Sequence, residues 1–107
     1  MSQQILMQVI DNFIDTSIDR FSSESACMVS HFFLDIREIF PDRQRVTQHL
    51  IDTCISVMQS RGLNINQTTA TTFNVTVNLN TCLFNHQQSM KFSVALNYVR
   101  TVHGLNV

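Results

Sequence analysis

The chain has 107 residues and a formal net charge of −1, with 44% hydrophobic and only 14% charged residues. This length predicts one domain over residues 1–107. The near-zero net charge argues against a dedicated polyanion binder, because affinity for phosphates is built from many lysines and arginines.

The first predicted element is an amphipathic helix over residues 4–21. Its apolar side chains recur at helical spacing, with Ser17 among them, and Asp11, Asp15 and Asp19 line the opposite face. A small residue such as Ser17 lets another helix approach closely. The apolar face consists of Leu6, Val9, Ile10, Phe13, Ile14 and Phe21.

A second helix is predicted to start at Ser22-Ser23-Glu24, with a serine N-cap and an acid in its first turn. The sequence does not decide whether it continues the first helix as one rod. Phe40-Pro41 ends it, because a residue before proline is disfavoured in helical conformation. Its predicted apolar face consists of Val29, Phe32, Phe33, Ile36, Ile39 and Phe40.

The third predicted helix spans residues 43–61 and has clear end signals. Asp42 is a natural N-cap, Arg61 lies in the last turn, Gly62 suits the left-handed position after the helix, and Leu63 suits the hydrophobic contact of a Schellman ending. The buried face is expected to consist of Val46, Leu50, Ile51, Cys54, Ile55 and Met58.

The pattern then changes to a period of two, which is typical of a half-buried strand. Phe73, Val75, Val77 and Leu79 alternate with threonines and asparagines over residues 72–80. Leu63 and Ile65 indicate a shorter strand before it, joined through residues 67–70. Because a lone strand leaves backbone groups unpaired, we expect it to pair within the chain or with another chain.

Residues 86–103 fit two structures. Met90, Phe92, Val94, Leu96 and Tyr98 alternate as in a strand, but Phe92, Ala95, Leu96, Val99 and Val102 also fit one face of a helix. Asn85 and Gln88 form a capping-box pattern, and His103-Gly104-Leu105 resembles the end of the third helix. These end signals favour a helix over the alternative, the second strand of a long hairpin.

Together these elements predict an α+β domain: three N-terminal amphipathic helices, a short strand or hairpin around residues 63–80, and a C-terminal helix. The high apolar and low charged content predicts surface that another subunit or a partner covers. We therefore expect a homo-oligomer that also binds a protein target. The expected protein-interface residues are Phe13, Ser17, Phe21, Phe32 and Phe33.

Charge is divided unevenly along the chain. All eight acidic residues lie in residues 1–52, which are formally −4, whereas residues 53–107 are formally +3. The dispersed basic side chains are the candidates for anion or nucleic-acid contact, and a regulator that binds a nucleic acid or a nucleotide is a less favoured alternative function. They are Arg43, Arg45, Arg61, Lys91 and Arg100.

A second alternative is a metal site in which His31 and Asp35 on one helix face His49 and Asp52 on the next. These pairs project from polar helix faces, where a solvated His–acid pair is the simpler explanation. Cys27, His31 and Glu38 on one helix do not make a nucleophile–base pair. We therefore predict no catalytic residue, no metal and no cofactor.

The expected compartment is the cytoplasm, without a membrane partner. No apolar run reaches the ~18 residues of a membrane span, and Met-Ser-Gln-Gln lacks the basic start of a signal peptide. Cys27, Cys54 and Cys82 are odd in number and suit free thiols. By exclusion, the leading prediction is a small non-catalytic protein that inhibits or regulates a larger protein machine, of the phage or mobile-element inhibitor or immunity-factor type.

Overall fold

The computed structural model describes residues 2–25, 27–39 and 46–103. It is an α+β fold, as predicted, with helices packed on a three-stranded sheet. The elements in chain order are α1 (Ser2–Arg20), a π-helical turn (Phe21–Ser25), β1 (Val29–Asp35), the single turn α2 (Ile36–Ile39), α3 (Gln48–Ser60), β2 (Asn64–Gln67), β3 (Thr72–Asn78) and α4 (His86–His103). Within the described ranges, no helix combines the length and apolar character needed to cross a membrane.

The sheet is antiparallel throughout and has the order β1-β3-β2. Phe73, Val75 and Val77 of β3 are fully buried beneath the helices. The other side of the sheet, which we call the open face, is rich in asparagine and threonine, and its residues are exposed or half-buried except for the buried Thr72. In register across the open face lie Val29, His31, Phe33 and Asp35 of β1, Thr72, Asn74, Thr76 and Asn78 of β3, and Asn64 and Asn66 of β2.

The predicted second helix is wrong, because residues 29–35 form the edge strand β1. Ser22 and Ser23 do not start a helix; their hydroxyls donate to the Asp19 carbonyl oxygen within the turn that ends α1. The segment is rich in β-branched and aromatic residues, which favour strands. Pairing with β3 also satisfies backbone groups that a helix at this position would leave unpaired on β3.

The third helix begins later than predicted. Residues 46 and 47 are not helical, and Thr47 is the N-cap, its hydroxyl accepting from the Leu50 N–H at 3.2 Å. Asp42, the predicted cap, and the Phe40-Pro41 stop lie outside the described residues.

The predicted Schellman ending of this helix is confirmed. The Gly62 N–H donates to Gln59 O, the Leu63 N–H donates to Met58 O, and Gly62 has a φ of +78°.

The hairpin around residues 63–80 is also confirmed, as β2 paired with β3. The helix is the correct structure for residues 86–103. The Gln88 N–H donates to Asn85 Oδ1 at 2.8 Å, and Gln88 Oε1 accepts from the Asn85 N–H at 2.9 Å, which completes the capping box. The predicted ending of this helix, which resembles that of the third helix, involves Gly104 and Leu105, and these two residues lie outside the described residues.

The core lies between α1, α3, α4 and the covered side of the sheet. α1 contributes the longest buried row, and α4 contributes Ala95, Val99 and the polar Gln88 to the buried set. Phe92 of α4 packs in a tilted arrangement against Phe21 and Phe84. The buried apolar residues are Leu6, Ile10, Ile14, Ile18, Phe21, Leu34, Ile36, Ile39, Ile51, Cys54, Met58, Leu63, Phe73, Val75, Val77, Leu79, Cys82, Ala95 and Val99.

Candidate functional site

The outer side of α4 carries a row of exposed apolar side chains, which we call the α4 stripe. It consists of Met90, Val94, Tyr98 and Val102, at a spacing of four residues. Each is at least half exposed, and Val94 reaches 70%. Residues four apart lie on adjacent turns of one helix face, so the four side chains form one continuous strip. Contiguous apolar surface of this kind marks interaction sites more often than scattered apolar residues do.

A groove runs beside the α4 stripe, between α4 and the C-terminal end of α1. It encloses about 350 Å³, and Val94 and Tyr98 of the stripe form part of its wall. Ile18 and Ala95, both buried, also line it. The volume and apolar lining suit one large apolar side chain inserted from a partner.

The rim of the groove is polar. Lys91 Nζ lies 3.0 Å from Asp19 Oδ1 and donates to the Asp15 carbonyl oxygen at 3.4 Å. Ser22 and Ser23 line the same rim. This ion pair is exposed on both sides, so it adds little stability. It does fix the position of Asp19 and Lys91 at the entrance, where they can orient an incoming polar group.

A partly buried polar joint connects the N-terminal end of α4 to α1 and to the end of α3. Arg61 Nη2 donates to Asp11 Oδ1 at 2.9 Å and to Gln88 Oε1 at 3.3 Å, and Gln88 Nε2 donates to the same Asp11 oxygen at 3.0 Å. Arg61 also donates to the Leu83 carbonyl oxygen. Since the Gln88 side chain is 2% exposed, the joint rigidly sets the position of α4 against α1 and the end of α3.

The predicted interface residues fall into two groups. Ser17 and Phe21 are fully buried in the chain's own core, and the Ser17 hydroxyl donates to the Phe13 carbonyl oxygen. Phe13 and Phe32 stack on each other with centroids 4.5 Å apart, and Arg20 lies over the Phe32 ring. Phe33 points to the open face and is 64% exposed. Of the five, Phe33 presents the most surface to another molecule.

The predicted basic residues are not gathered at one place. Arg61 is neutralised by Asp11 in the polar joint, and Lys91 is paired with Asp19. Arg100 is exposed near the end of α4, nine residues along the helix from Lys91. Arg43 and Arg45 lie outside the described residues. Arg61 and Lys91 therefore already have carboxylate partners.

The hypothetical four-ligand metal site is not assembled. His31 and Asp35 are on β1 rather than on a helix facing α3. The His31 ring is 3.0 Å from the Thr76 hydroxyl, and Asp35 is bound by Arg37, whose hydrogen bonds hold the pKa of that carboxyl below its ordinary value. Across the described parts of the chain, no three His, Cys, Asp or Glu side chains come together in a metal-binding group.

The thiols are unpaired and two of them are unreactive. Burial raises the pKa of the Cys54 thiol to about 11 and raises that of Cys82 as well. Both are therefore protonated at neutral pH and inert as nucleophiles. Cys27 is exposed, and its thiol donates to the Val29 carbonyl oxygen rather than to a histidine.

The α4 stripe was not among the predicted interface residues, although the sequence contained a signal for it. Residues 86–103 fit both a strand and a helix because Met90, Val94 and Tyr98 are apolar but do not lie on the buried side of the helix. Val102, which was assigned to the buried face, is 55% exposed. Once residues 86–103 are taken as a helix, the apolar residues that do not fit its buried side define its outer side.

Comparisons with known proteins supply no further information on this surface. No protein family, curated protein or solved structure matches the chain. The surface chemistry of the chain is therefore the basis for assigning a function.

Proposed function

We propose that this chain is a small non-catalytic protein that binds a larger protein machine through the α4 stripe and so inhibits or regulates it. The observation that supports the proposal is the exposure of four aligned apolar side chains, from 51% at Tyr98 to 70% at Val94, on a helix that a partly buried polar joint connects to α1. A rigid helix face presents such a surface at a low entropic cost on binding.

The occupant that fits this surface is an amphipathic helix of the target. Apolar residues at i, i+4 and i+8 of one helix match the spacing of a second helix that lies along it. The groove beside Val94 and Tyr98 then receives one apolar anchor from the target helix. Only a few such anchors dominate the binding energy of most interfaces.

The rim beside the α4 stripe carries both signs of charge, because Lys91 pairs with Asp19 at the entrance of the groove. The charge of this surface therefore does not select between an acidic and a basic target helix.

The chemistry of the remaining side chains supports a binding role over catalysis. The Cys54 and Cys82 thiols are protonated, and His31 is hydrogen-bonded to Thr76 on an open sheet face. A cytoplasmic location belongs to the same proposal, because the three free thiols suit a reducing compartment. The proposed class of protein is an inhibitor of the phage or mobile-element type or an immunity factor.

The test compares Val94→Asp with Ser93→Asp in capture experiments from a lysate of the source cells. The two positions are neighbours on α4 and both are exposed, but only Val94 belongs to the stripe. The proposal predicts one stoichiometric protein partner, retained in moderate salt, bound by wild type and Ser93→Asp and lost with Val94→Asp. Equal capture by all three proteins would contradict it.

A nucleic-acid binder would give a different result in the same experiment. Material absorbing at 260 nm would co-purify and would be lost steeply as salt is raised. Such an outcome would replace the proposal with the alternative, in which the basic side chains contact phosphates. The carboxylate partners of Arg61 and Lys91 make that alternative the weaker one.

A further inference from the structure

The two edges of the sheet differ in a way that bears on self-association. β2 is four residues long, and three of the four are asparagine or glutamine. β1 is seven residues long and contains Val29, Phe32, Phe33 and Leu34. Natural edge strands are usually protected by lysine, proline, a bulge or short length. β2 is protected by being short and polar, whereas β1 has none of these devices.

The hydrogen-bond register shows which backbone groups β1 presents outward. The Leu79 N–H donates to Met28 O, and the Ile36 N–H donates to Thr71 O, both at 2.9 Å. Even-numbered residues of this segment therefore bond to β3, and the N–H and C=O groups of odd-numbered residues point away from it. Val29, His31 and Phe33 are the outward residues at the centre of β1.

These outward groups have no backbone partner in the described ranges 2–25, 27–39 and 46–103. The Val29 carbonyl oxygen accepts from the Cys27 thiol at 3.2 Å, but no backbone bond is formed to the outward side of His31 or Phe33. The Phe33 ring is also 64% exposed on the open face. One short segment thus combines unpaired backbone groups with an exposed aromatic ring.

We infer that β1 pairs antiparallel with β1 of a second copy of this chain, joining two three-stranded sheets into one continuous sheet of six strands. In full overlap, His31 lies opposite Phe33 of the second copy, and Phe33 lies opposite its His31. These are hydrogen-bonded positions on both strands, so the two pairs alone exchange about four hydrogen bonds. The Phe33 ring gains the His31 ring of the second copy as its neighbour on the open face.

Charge favours this antiparallel arrangement of two identical strands. Asp35 is the one acidic residue of β1. Antiparallel overlap places the two Asp35 side chains at opposite ends of the paired strands, about 20 Å apart. Parallel pairing of two copies would place the two Asp35–Arg37 ion pairs at the same level on neighbouring strands, with like charges facing each other. A two-fold axis at Phe32 therefore pairs the outward backbone groups of β1 and keeps the two Asp35 side chains apart.

This interface is independent of the α4 stripe, because it lies at a sheet edge rather than on α4. The inference of a dimer and the proposal of target binding can therefore be contradicted independently of each other. The dimer is tested with the purified chain alone, whereas the proposed function is tested with the target in a lysate. Phe33→Lys is expected to leave capture of the target through Val94 unchanged.

The experiment measures amide hydrogen exchange of the wild-type chain over a range of concentrations, with sedimentation to report the mass. The inference predicts a dimer in which the His31 and Phe33 amides exchange at least ~100-fold more slowly than in the dilute monomer. The outward amides of Ile65 and Gln67, on the other edge strand, are the internal control and keep one rate. A chain that stays monomeric, or a dimer with unprotected His31 and Phe33 amides, would overturn the inference.

A pair of substitutions adds a second readout. Phe33→Lys introduces a lysine on the β1 edge and should weaken the dimer at least about tenfold. Asn66→Lys introduces the same residue on the β2 edge, at another exposed position of the open face, and should leave the dimer intact. Equal weakening by both, with both variants folded by circular dichroism, would contradict pairing through β1.

Discussion

Asp11 and Gln88 lie 77 residues apart in the chain, and their side chains meet at 3.0 Å, where Gln88 Nε2 donates to Asp11 Oδ1. Arg61 donates to the same carboxylate oxygen at 2.9 Å. Through these two bonds the first helix, the end of the third helix and the start of the last helix are joined at one carboxylate. The position of the α4 stripe depends on this joint.

Asp11→Asn is expected to destabilise the fold by about 2 kcal/mol. The substitution removes the negative charge opposite Arg61, whose side chain is 14% exposed, and leaves a largely buried cation without an opposite charge. Chemical denaturation measures the loss. Asp15→Asn is the control, since Asp15 lies one turn further along α1 outside the joint, and it should change stability by less than about 0.5 kcal/mol. Equal losses of stability from Asp11→Asn and Asp15→Asn would show that the polar joint does not stabilise the fold.

Asn85→Ala is expected to cost about 1 kcal/mol of stability, because it removes the N-cap of α4 and leaves the Gln88 N–H without its acceptor. Gln87→Ala, at an exposed position in the first turn of the same helix, should cost far less. Thermal unfolding followed by circular dichroism distinguishes the two. If Gln87→Ala proved as costly as Asn85→Ala, the loss would not be specific to the cap, and the capping box would not explain it.

Replacement of Gly62 tests a close approach as well as a backbone conformation. Gly62 has a φ of +78°, and a Cβ at this position would lie 2.8 Å from the Thr81 carbonyl oxygen and 2.9 Å from Cys82 Cα. Gly62→Ala should destabilise by more than about 1 kcal/mol.

Gly62→Asn should be nearly as harmful, although asparagine tolerates a positive φ better than alanine does. Urea titration of the two variants measures both losses. An asparagine variant as stable as wild type would show that φ alone matters and that the contact with residues 81 and 82 does not.

Stability is expected to fall as pH rises from about 9 to about 11. Burial raises the pKa of the Cys54 thiol from its ordinary 9.0 to about 11. In this window the unfolded chain loses the thiol proton while the folded chain keeps it, so deprotonation favours unfolding. The contribution is about 2 kcal/mol over the window.

The matched measurement compares wild type with Cys54→Ala in urea unfolding at pH 8.5 and pH 10.5. The alanine variant is less stable overall because of the cavity, but its stability should depend less steeply on pH. Parallel pH profiles for the two proteins would contradict the assignment. A thiol reagent at neutral pH should modify Cys27, which is exposed, and leave Cys54 and Cys82 unmodified in the folded chain.

Local signals in the sequence predicted the C-terminal end of α3 and the start of α4. The Gly62 and Leu63 ending and the Asn85 and Gln88 capping box involve neighbours in the chain, so short patterns are enough to identify them. β1 could not be predicted in the same way. Its apolar residues also fit helical spacing, and the strand is formed because β3 pairs with it, with the paired residues between 37 (Asp35 and Thr72) and 49 (Val29 and Asn78) positions apart.

The candidate site was harder to predict for a related reason. An exposed apolar residue and a buried one are identical in sequence, and the difference between Val94 and Val99 depends on the side of α4 that faces α1. The pairing of Arg61 with Asp11 depends on a contact between residues 50 positions apart. The sequence therefore indicated Arg61 as an anion contact because nothing local reveals its carboxylate partner.

The most direct test of the central claim, that the outer side of α4 binds a target protein, is photo-crosslinking in the source cells. A benzoyl-phenylalanine residue replaces Val94 in one strain and Asn66, on the β2 edge, in another. The account predicts one discrete adduct at position 94, heavier than two joined copies of the chain, and none of that mass at position 66. Adducts of the same mass from both positions, or none beyond the chain itself at position 94, would contradict it.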